Sequence, residues 1–258
     1  MVPARLASTR FPGKALAAET GRPLVLHVVD RARAADRVGR VIVAAPDAEI
    51  VDAAIADGVE AMTTAIDHPN GTSRLAEVVE RLGPELDPDS IVVNVQGDEP
   101  ELDPGSIDAV IRALESDPEA DMATIAAPWV PEDDPEDPTI VKVVLDRVGR
   151  ALYFSRSRIP FDRDSADLAS AHLRHVGLYA YRARFLPRFA AWPPTPLETR
   201  ESLEQLRVLE HGGRIAVAVH PATGAGIDTP EQYAAFVARW RAGAGSTDPR
   251  PEAGQSVD

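Results

Sequence analysis

Cysteine is absent from the 258 residues of this chain, and that absence closes several chemistries at once. Disulfides, a thiolate nucleophile and Cys-ligated zinc or iron–sulfur centres are all excluded. Long apolar runs are missing too, since nothing approaches the ~20 residues needed to cross a bilayer. The first residues lack the apolar core of a signal peptide, because Pro3, Arg5, Arg10, Pro12 and Lys14 interrupt them. Basic residues are scarce: 27 Lys and Arg stand against 41 Asp and Glu, a formal net charge of −14. Such a field repels polyphosphate backbones and argues against a general DNA- or RNA-coating role. Neither G-x-x-x-x-G-K-[ST] nor G-x-G-x-x-G occurs, which disfavours a Walker-type site and a dinucleotide dehydrogenase. What is present, 44% hydrophobic and 26% charged residues, suffices for one large α/β domain or two small ones. These features lead us to expect a soluble cytoplasmic protein with no membrane or nucleic-acid partner.

Short apolar runs alternate with amphipathic stretches. Val41–Ala45, Val59–Met62, Ile91–Val95 and Met122–Ala127 read as strands. Between them, helices carry Ile50, Val51, Ala54 and Ile55, then Leu75, Val78, Val79 and Leu82, then Ile107, Val110, Ile111 and Leu114. Asp47 is expected to cap the first of these, with Gly58 ending it. The rhythm predicts an α/β, Rossmann-like and mostly parallel sheet with helices on both faces, whose ligands sit beyond the strands' carboxyl ends. Beyond residue 138, Ile140–Leu145 and Ala151–Ser155 flank a turn at Gly149 and predict a hairpin. His175–Tyr181 and Ile215–Val219 read as strands, Leu197–Leu209 as one helix, and Thr229-Pro230 as the start of another that ends at Trp240. The expected organisation is one domain over 1–242 with an inserted antiparallel arm at about 140–182. A disordered tail is expected over 243–258.

Charge is unevenly spread. Residues 1–18 carry Arg5, Arg10 and Lys14 without an acid, whereas 115–137 hold nine acids and no cation. The segment Pro3–Lys14 reads as an anion-binding loop: Gly13, Ala7 and Ser8 permit close backbone approach and the cations supply donors. A mobile basic terminus would have the same composition. The acidic run reads as solvated surface, and the later cations Lys142, Arg147, Arg150, Arg156, Arg158 and Arg163 as mostly solvated.

The strand Ile91–Val95 runs into Gln96-Gly97-Asp98-Glu99-Pro100. An acid just past a buried parallel strand stands at the open sheet edge, where it could hold Mg²⁺ or simply form a polar turn. Asp228 is the candidate second carboxylate, although it or Thr229 could equally cap a helix. Asn70-Gly71-Thr72-Ser73-Arg74 suits a base, a ribose or an ordinary helix cap. His175 and Tyr179 share a strand face, and Glu201 and Gln205 are expected one helical turn apart. Each pair could bind a hydroxylated acid or decorate a surface. No Ser/His/Asp triad is legible.

Taken in order, several strings resemble the 3-deoxy-manno-octulosonate (Kdo) cytidylyltransferases. They are PARLASTRFPGK from Pro3, GTSRLAE from Gly71, VNVQGDEP from Val93, VKVV from Val141, ALYFSR from Ala151, with Ile159-Pro160. RHVGLY from Arg174, LEQLR from Leu203 and DTP from Asp228 complete the set. The resemblance implies a sugar-nucleotide transferase fold, a homodimer built partly through the arm, and the reaction CTP + Kdo → CMP-Kdo + pyrophosphate, which feeds lipopolysaccharide assembly. It implies that Arg5, Arg10 and Lys14 hold the phosphates, with Ala4, Leu6 and Ser8 in the same nucleotide-binding loop and Ser73 and Arg74 near the cytidine. Asp98 and Asp228 would ligate Mg²⁺, the expected cofactor. Arg10, Lys14 and Asp98 would serve catalysis, and Gln96, Arg156, His175, Tyr179, Glu201 and Gln205 would contact the 2-keto-3-deoxy sugar acid.

Two departures stand out. Only Met1 and Val2 precede Pro3, where the family has an apolar strand; unpaired central backbone groups and an upstream start site are therefore expected. Pro138-Thr139-Ile140 replaces the usual Pro-Asn before VKVV. The competing readings are the same transfer to another acid sugar, such as an 8-amino Kdo analogue or a sialic acid, and a non-catalytic nucleotide-binding protein.

Overall fold

The computed structural model describes residues 1–130, 133–161, 163, 172–221, 224 and 226–244. The expected tail beyond residue 244 and the stretch 164–171 of the expected arm lie outside them.

Apolar runs bounded by Pro, Gly and Asp become short strands, and the intervening stripes become helices. In chain order these are β1 (Val2–Pro3), α1 (Leu24–Arg33), β2 (Ile42–Ala45), α2 (Ala48–Ala56), β3 (Glu60–Thr63), α3 (Gly71–Leu82), β4 (Ile91–Asn94) and α4 (Pro104–Ser116). Then follow β5 (Met122–Pro128), β6 (Lys142–Leu145), β7 (Ala151–Ser155), β8 (Leu173–Arg182), α5 (Phe185–Ala191), α6 (Pro196–Glu201), α7 (Leu206–Glu210), β9 (Ile215–Val219) and α8 (Pro230–Arg239).

β1, β2 and β3 pair in parallel, with Val2 opposite Val43 and Ile42 opposite Glu60. In the second sheet β8 runs antiparallel to β4 and β5, while β9 runs parallel to β5. Met1 joins the two sheets. Its ammonium donates to the Val93 carbonyl at 2.7 Å, and its own carbonyl accepts from the Val95 N–H at 3.0 Å. That is a parallel ladder step, so β1 lies between β2 and β4. Outside the arm only β8 opposes the shared direction of β1–β5 and β9, which is the mostly parallel sheet expected; within the arm β7 runs with β8. The arm starts where β6 pairs with the beginning of β8 and folds back as β7, with Gly149 at φ +85° in the turn.

Successive strand residues face opposite sides of the sheet. Val43 and Ala45 pack with Val25, Val28, Ile50 and Ile107 from α1, α2 and α4. Ile42 and Ala44 pack with Leu75, Val78, Phe189 and Leu206 from α3, α5 and α7. β1 is so short that no described residue continues it between the starts of β2 and β4. A cavity of about 640 Å³ opens there, lined by Val41, Ile42, Leu82, Leu86, Ile91 and Ile111 among others. Burial of the Met1 ammonium beside it pushes its pKa down to about 5.

Four expectations are corrected. The segment 197–209 is not one helix: Ser202 takes a left-handed conformation, φ +51°, and separates α6 from α7. Asp47 begins α2 without capping it, because its carboxylate accepts the Leu6 N–H at 2.8 Å instead. Lys142 is not solvated. It is 0% exposed, and its ammonium donates to the carbonyls of Asp137 and Arg156 at 2.8 Å each. The acidic run is not uniformly solvated either, since Asp117 pairs with Arg150 at 2.6 Å and Asp133 with Arg174 at 3.5 Å.

Candidate active site

The carboxyl ends of β1, β3 and β4 open on one edge of the sheet, and the loops leaving them, with Asp228 before α8, enclose a cavity of about 600 Å³. Gly97 makes this possible. A Cβ there would lie 2.6 Å from the Pro3 carbonyl oxygen, so only glycine lets the β4 loop cross the end of β1. The Ala4–Lys14 loop closes on itself through the Gly13 N–H to the Leu6 carbonyl, 3.0 Å, with Gly13 at φ +74°. Asp47 ties the same loop to the start of α2. The loop is therefore a built feature of the site.

Lys14 is its centre. The ammonium donates to Asp98 Oδ2 at 2.6 Å, to the Ile227 carbonyl at 2.8 Å and to Asp228 Oδ1 at 3.1 Å. Arg10 pairs with the other oxygen of Asp228 at 2.8 Å. Two carboxylates separated by 129 intervening positions in the chain thus meet at one cation. Thr229 makes this possible by capping α8 itself, in a reciprocal box with Gln232, which leaves the Asp228 carboxylate unneeded at the helix end. The Ile227 N–H to the Asp98 carbonyl, 2.8 Å, joins the two loops. A pair of carboxylates already gathered about a cation fits Mg²⁺, which takes its remaining oxygens from water and phosphate. Among the described residues no group of three or more metal-ligating acids and histidines forms a complete protein cage. Burial and the neighbouring Asp98 push the Glu99 pKa up to about 7.

Arg5, Ala4, Ser8, Arg10, Lys14, Arg74, Gln96, Asp98 and Asp228 all line this cavity, whereas Leu6 and Ser73 do not. Leu6 contributes its backbone to the loop. Asn70, not Ser73, caps α3: its side chain accepts the Ser73 N–H at 2.8 Å, while the Ser73 hydroxyl donates to the Asn70 carbonyl at 3.1 Å. Arg74 is buried and donates to Thr64 Oγ1 and to the Ala65 carbonyl, 3.0 Å, bracing the far rim. Burial, then the nearby Arg5 charge, hold its pKa below the ordinary arginine value. His68 also lines the cavity, with Nε2 2.5 Å from the Glu77 carboxylate, and the sequence reading missed it.

The other sugar candidates sit apart from this cavity. His175 and Tyr179 do come together on β8, ring centroids 5.5 Å apart, and the Tyr179 hydroxyl donates to Gln205 Oε1 at 3.2 Å. Gln205 is 2% exposed, and its Nε2 has no hydrogen-bond partner among the described residues. Such a buried donor is costly unless something polar reaches it. Glu201 is not beside Gln205. Its carboxylate accepts from the Ser155 hydroxyl at 2.7 Å and from the Arg156 N–H at 2.9 Å. The Arg156 guanidinium in turn donates to the carbonyls of Glu201, Pro138 and Ser202. Glu204 was also missed. Its carboxylate accepts from Asn70 Nδ2 at 3.0 Å and Thr72 Oγ1 at 2.9 Å, tying the chain before α7 to the start of α3, and burial raises its pKa. Glu204 was visible only as a polar residue inside LEQLR, and His68 only as a polar loop residue just before Asn70.

A charged phosphate-sized loop, two convergent carboxylates and an open sheet edge define a nucleotidyltransferase, and the sequence profile of the cytidylyltransferase family matches residues 1–215. The chain is 50% identical to a 3-deoxy-manno-octulosonate cytidylyltransferase of Syntrophobacter fumaroxidans (strain DSM 10017 / MPOB), over 92% of this chain and 94% of that one. It is 52% identical to the protein of that name from Anaeromyxobacter sp. (strain Fw109-5), over 90% and 91% of the two chains. A solved CMP:2-keto-3-deoxy-manno-octonic acid synthetase complexed with CTP superposes with a TM-score of 0.85 at 37% identity, covering 93% of this chain and 97% of that one. The chain belongs to the 3-deoxy-manno-octulosonate cytidylyltransferase family.

Proposed function

We propose that this protein activates Kdo: CTP + Kdo → CMP-Kdo + pyrophosphate. The anomeric hydroxyl attacks the α-phosphorus in line, the bond to the β-phosphate breaks, and the hydroxyl proton is released. The observation that carries this reading is Lys14 meeting Asp98 and Asp228 in the cavity that also holds Arg5 and Arg10. The names of the relatives and the CTP in the solved neighbour supply the substrates.

Little covalent work falls to the side chains. The Ala4–Lys14 loop would receive the triphosphate, with Arg5, which makes no ion pair among the described residues, free to meet it first. Arg10 and Lys14 would turn from the aspartates to phosphate oxygens as charge builds on the leaving pyrophosphate. Asp98 and Asp228 would then hold Mg²⁺, which when bound supplies charge neutralisation and makes the attacking hydroxyl more acidic. Gln96, in the lining of the same cavity, would contact the sugar acid. His175, Tyr179 and Gln205 would orient the acid sugar; Arg156 and Glu201 would shape its far wall. Exposed apolar residues on the arm, Leu152 at 61% and Phe161 at 83%, support its use as a homodimer contact. No helix among the described residues is long and apolar enough to cross a membrane. We place the reaction in the cytoplasm on the substrates' location.

The test is pyrophosphate release from CTP with Kdo and Mg²⁺. Release with Kdo, and much less with a sialic acid or an 8-amino analogue, is expected. CTP-dependent thermal stabilisation with no release for any acid would leave a nucleotide-binding protein without this activity.

A further inference from the structure

β5 and β8 fall out of step at Thr124. This residue lies opposite Tyr179, yet the next, Ile125, lies opposite Val176. The irregularity gathers three polar atoms about one hydroxyl. Thr124 Oγ1 lies 2.8 Å from the Leu178 carbonyl, 3.3 Å from the Val176 carbonyl and 2.9 Å from His175 Nε2, and the residue is 0% exposed. A hydroxyl has one hydrogen, and carbonyl oxygens can only accept. With a carbonyl at 2.8 Å, that hydrogen belongs to the carbonyl side; otherwise two oxygens would face each other with nothing between them. Toward His175 the hydroxyl oxygen must then accept, so the ring proton sits on Nε2. In a neutral imidazole this leaves Nδ1 as the bare acceptor.

We propose that Thr124 is a positioning residue that locks His175 in the Nε2–H tautomer, so that Nδ1 offers an acceptor to a hydroxyl of the sugar acid rather than a donor to its carboxylate. The proposal rests on the reading of His175 as a sugar contact. Phe154, edge-on at 5.0 Å, and Tyr179, at 5.5 Å, hold the ring in place. Nδ1 makes no hydrogen bond among the described residues, and burial pushes the His175 pKa down to about 3, so the ring is neutral at working pH. The device excludes a charge pair between His175 and the substrate carboxylate and assigns that task to cations elsewhere.

The tautomer is read in the whole free protein, without substrate, from two-bond ¹H–¹⁵N correlations. The expected spectrum has Nε2 protonated and Nδ1 bare. A protonated Nδ1, or rapid exchange between the two forms, overturns the proposal. Thr124→Val removes the acceptor. It should mix the tautomers and raise KM for the sugar acid about tenfold with KM for CTP unchanged, and Thr124→Ser should restore both. Should the valine variant not fold, the wild-type spectrum and the serine variant still decide the tautomer. If the valine variant mixes the tautomers while KM for the acid stays put, Thr124 locks the ring but His175 does not face the sugar, and the substrate half of the proposal falls.

Discussion

The two halves of the candidate site solve opposite physical problems. The phosphate side is charged, loop-borne and internally compensated: Lys14 and Arg10 are held by Asp98 and Asp228 until something better arrives. The β8 side is nearly uncharged, built from Thr124, His175, Tyr179 and Gln205 on strands and a helix start, with polar atoms buried and in part unmatched. One half stores electrostatic interactions that a polyanion must exchange; the other stores unmet hydrogen bonds that a polyhydroxy acid must complete. Exchange favours a large, salt-sensitive ligand, whereas completion favours one of fixed shape.

The largest expected effect breaks the charged half alone. Asp98→Asn should cut turnover about a thousandfold or more at saturating Mg²⁺ while leaving circular dichroism unchanged, since the substitution keeps size but removes the charge. Near-normal pyrophosphate release from that variant would end the assignment of Asp98. Lys14→Met should follow with a loss of about a hundredfold in kcat. It carries a second readout that needs no turnover. With the ammonium gone, the two carboxylates repel and seek another cation, so Mn²⁺ alone, followed by electron paramagnetic resonance, should bind the variant at least about tenfold more tightly than the native protein. Unchanged Mn²⁺ affinity would mean that Lys14 does not stand in the cation's place.

The same contrast explains what could be read without coordinates. The phosphate half was largely legible because its residues sit in compact strings at strand ends, where chain direction alone predicts convergence. Asp228 needed more, and the deciding detail was local: Thr229 makes the helix cap, so the aspartate is left over. The β8 half was legible only as scattered polar residues. The pairing of Glu201 with Gln205 failed because one left-handed residue, Ser202, breaks the expected helix, and no periodicity signals that. Lys142 was misjudged as surface because burial of an ammonium between two carbonyls is set wholly by tertiary packing. α1 was overlooked because its buried run, Leu24–Val29, is too continuous for a helical stripe. His68, Thr124 and Glu204 act through partners 9, 51 and 132 or more positions away, distances at which sequence offers no register.

A smaller effect tests whether the charged half depends on the sheet beneath it. The slot between β2 and β4 is lined by apolar Val41, Ile42, Leu82 and Ile91 with charged residues such as Arg37 and Arg182 at its rim, and it ends at the buried Met1 ammonium. Appending three β-branched apolar residues before Met1 should continue β1 backwards, pair both strand edges and remove the buried charge. Burial gains less ordering entropy leave about 1–2 kcal/mol, or roughly 2–6 °C in melting temperature for a domain of this size. A Gly-Ser extension of equal length, which cannot fill the slot, should give none of it. Equal shifts from both extensions would show that the slot does not accept a strand.

The smallest effect sharpens the description of the β8 half as neutral. His175 titrates near its ordinary 6.5 when unfolded, but burial holds it to about 3 when folded. As pH falls below 6.5 the unfolded chain takes up a proton that the native ring refuses, so stability is lost progressively between 6.5 and 3 and is fully present above 6.5. Phe154, Tyr179 and Thr124, the groups in contact with the ring, carry no charge that could offset this. His175→Gln keeps a polar side chain without the titration. Urea unfolding at pH 7 and pH 5 should therefore show the native protein losing about 2 kcal/mol more than the variant over that interval. Carboxylates elsewhere lower stability in both proteins alike and cancel in the difference. If native protein and variant decline in parallel, the ring accepts its proton when folded, and the neutral half of the site is neutral only above the histidine's own pKa.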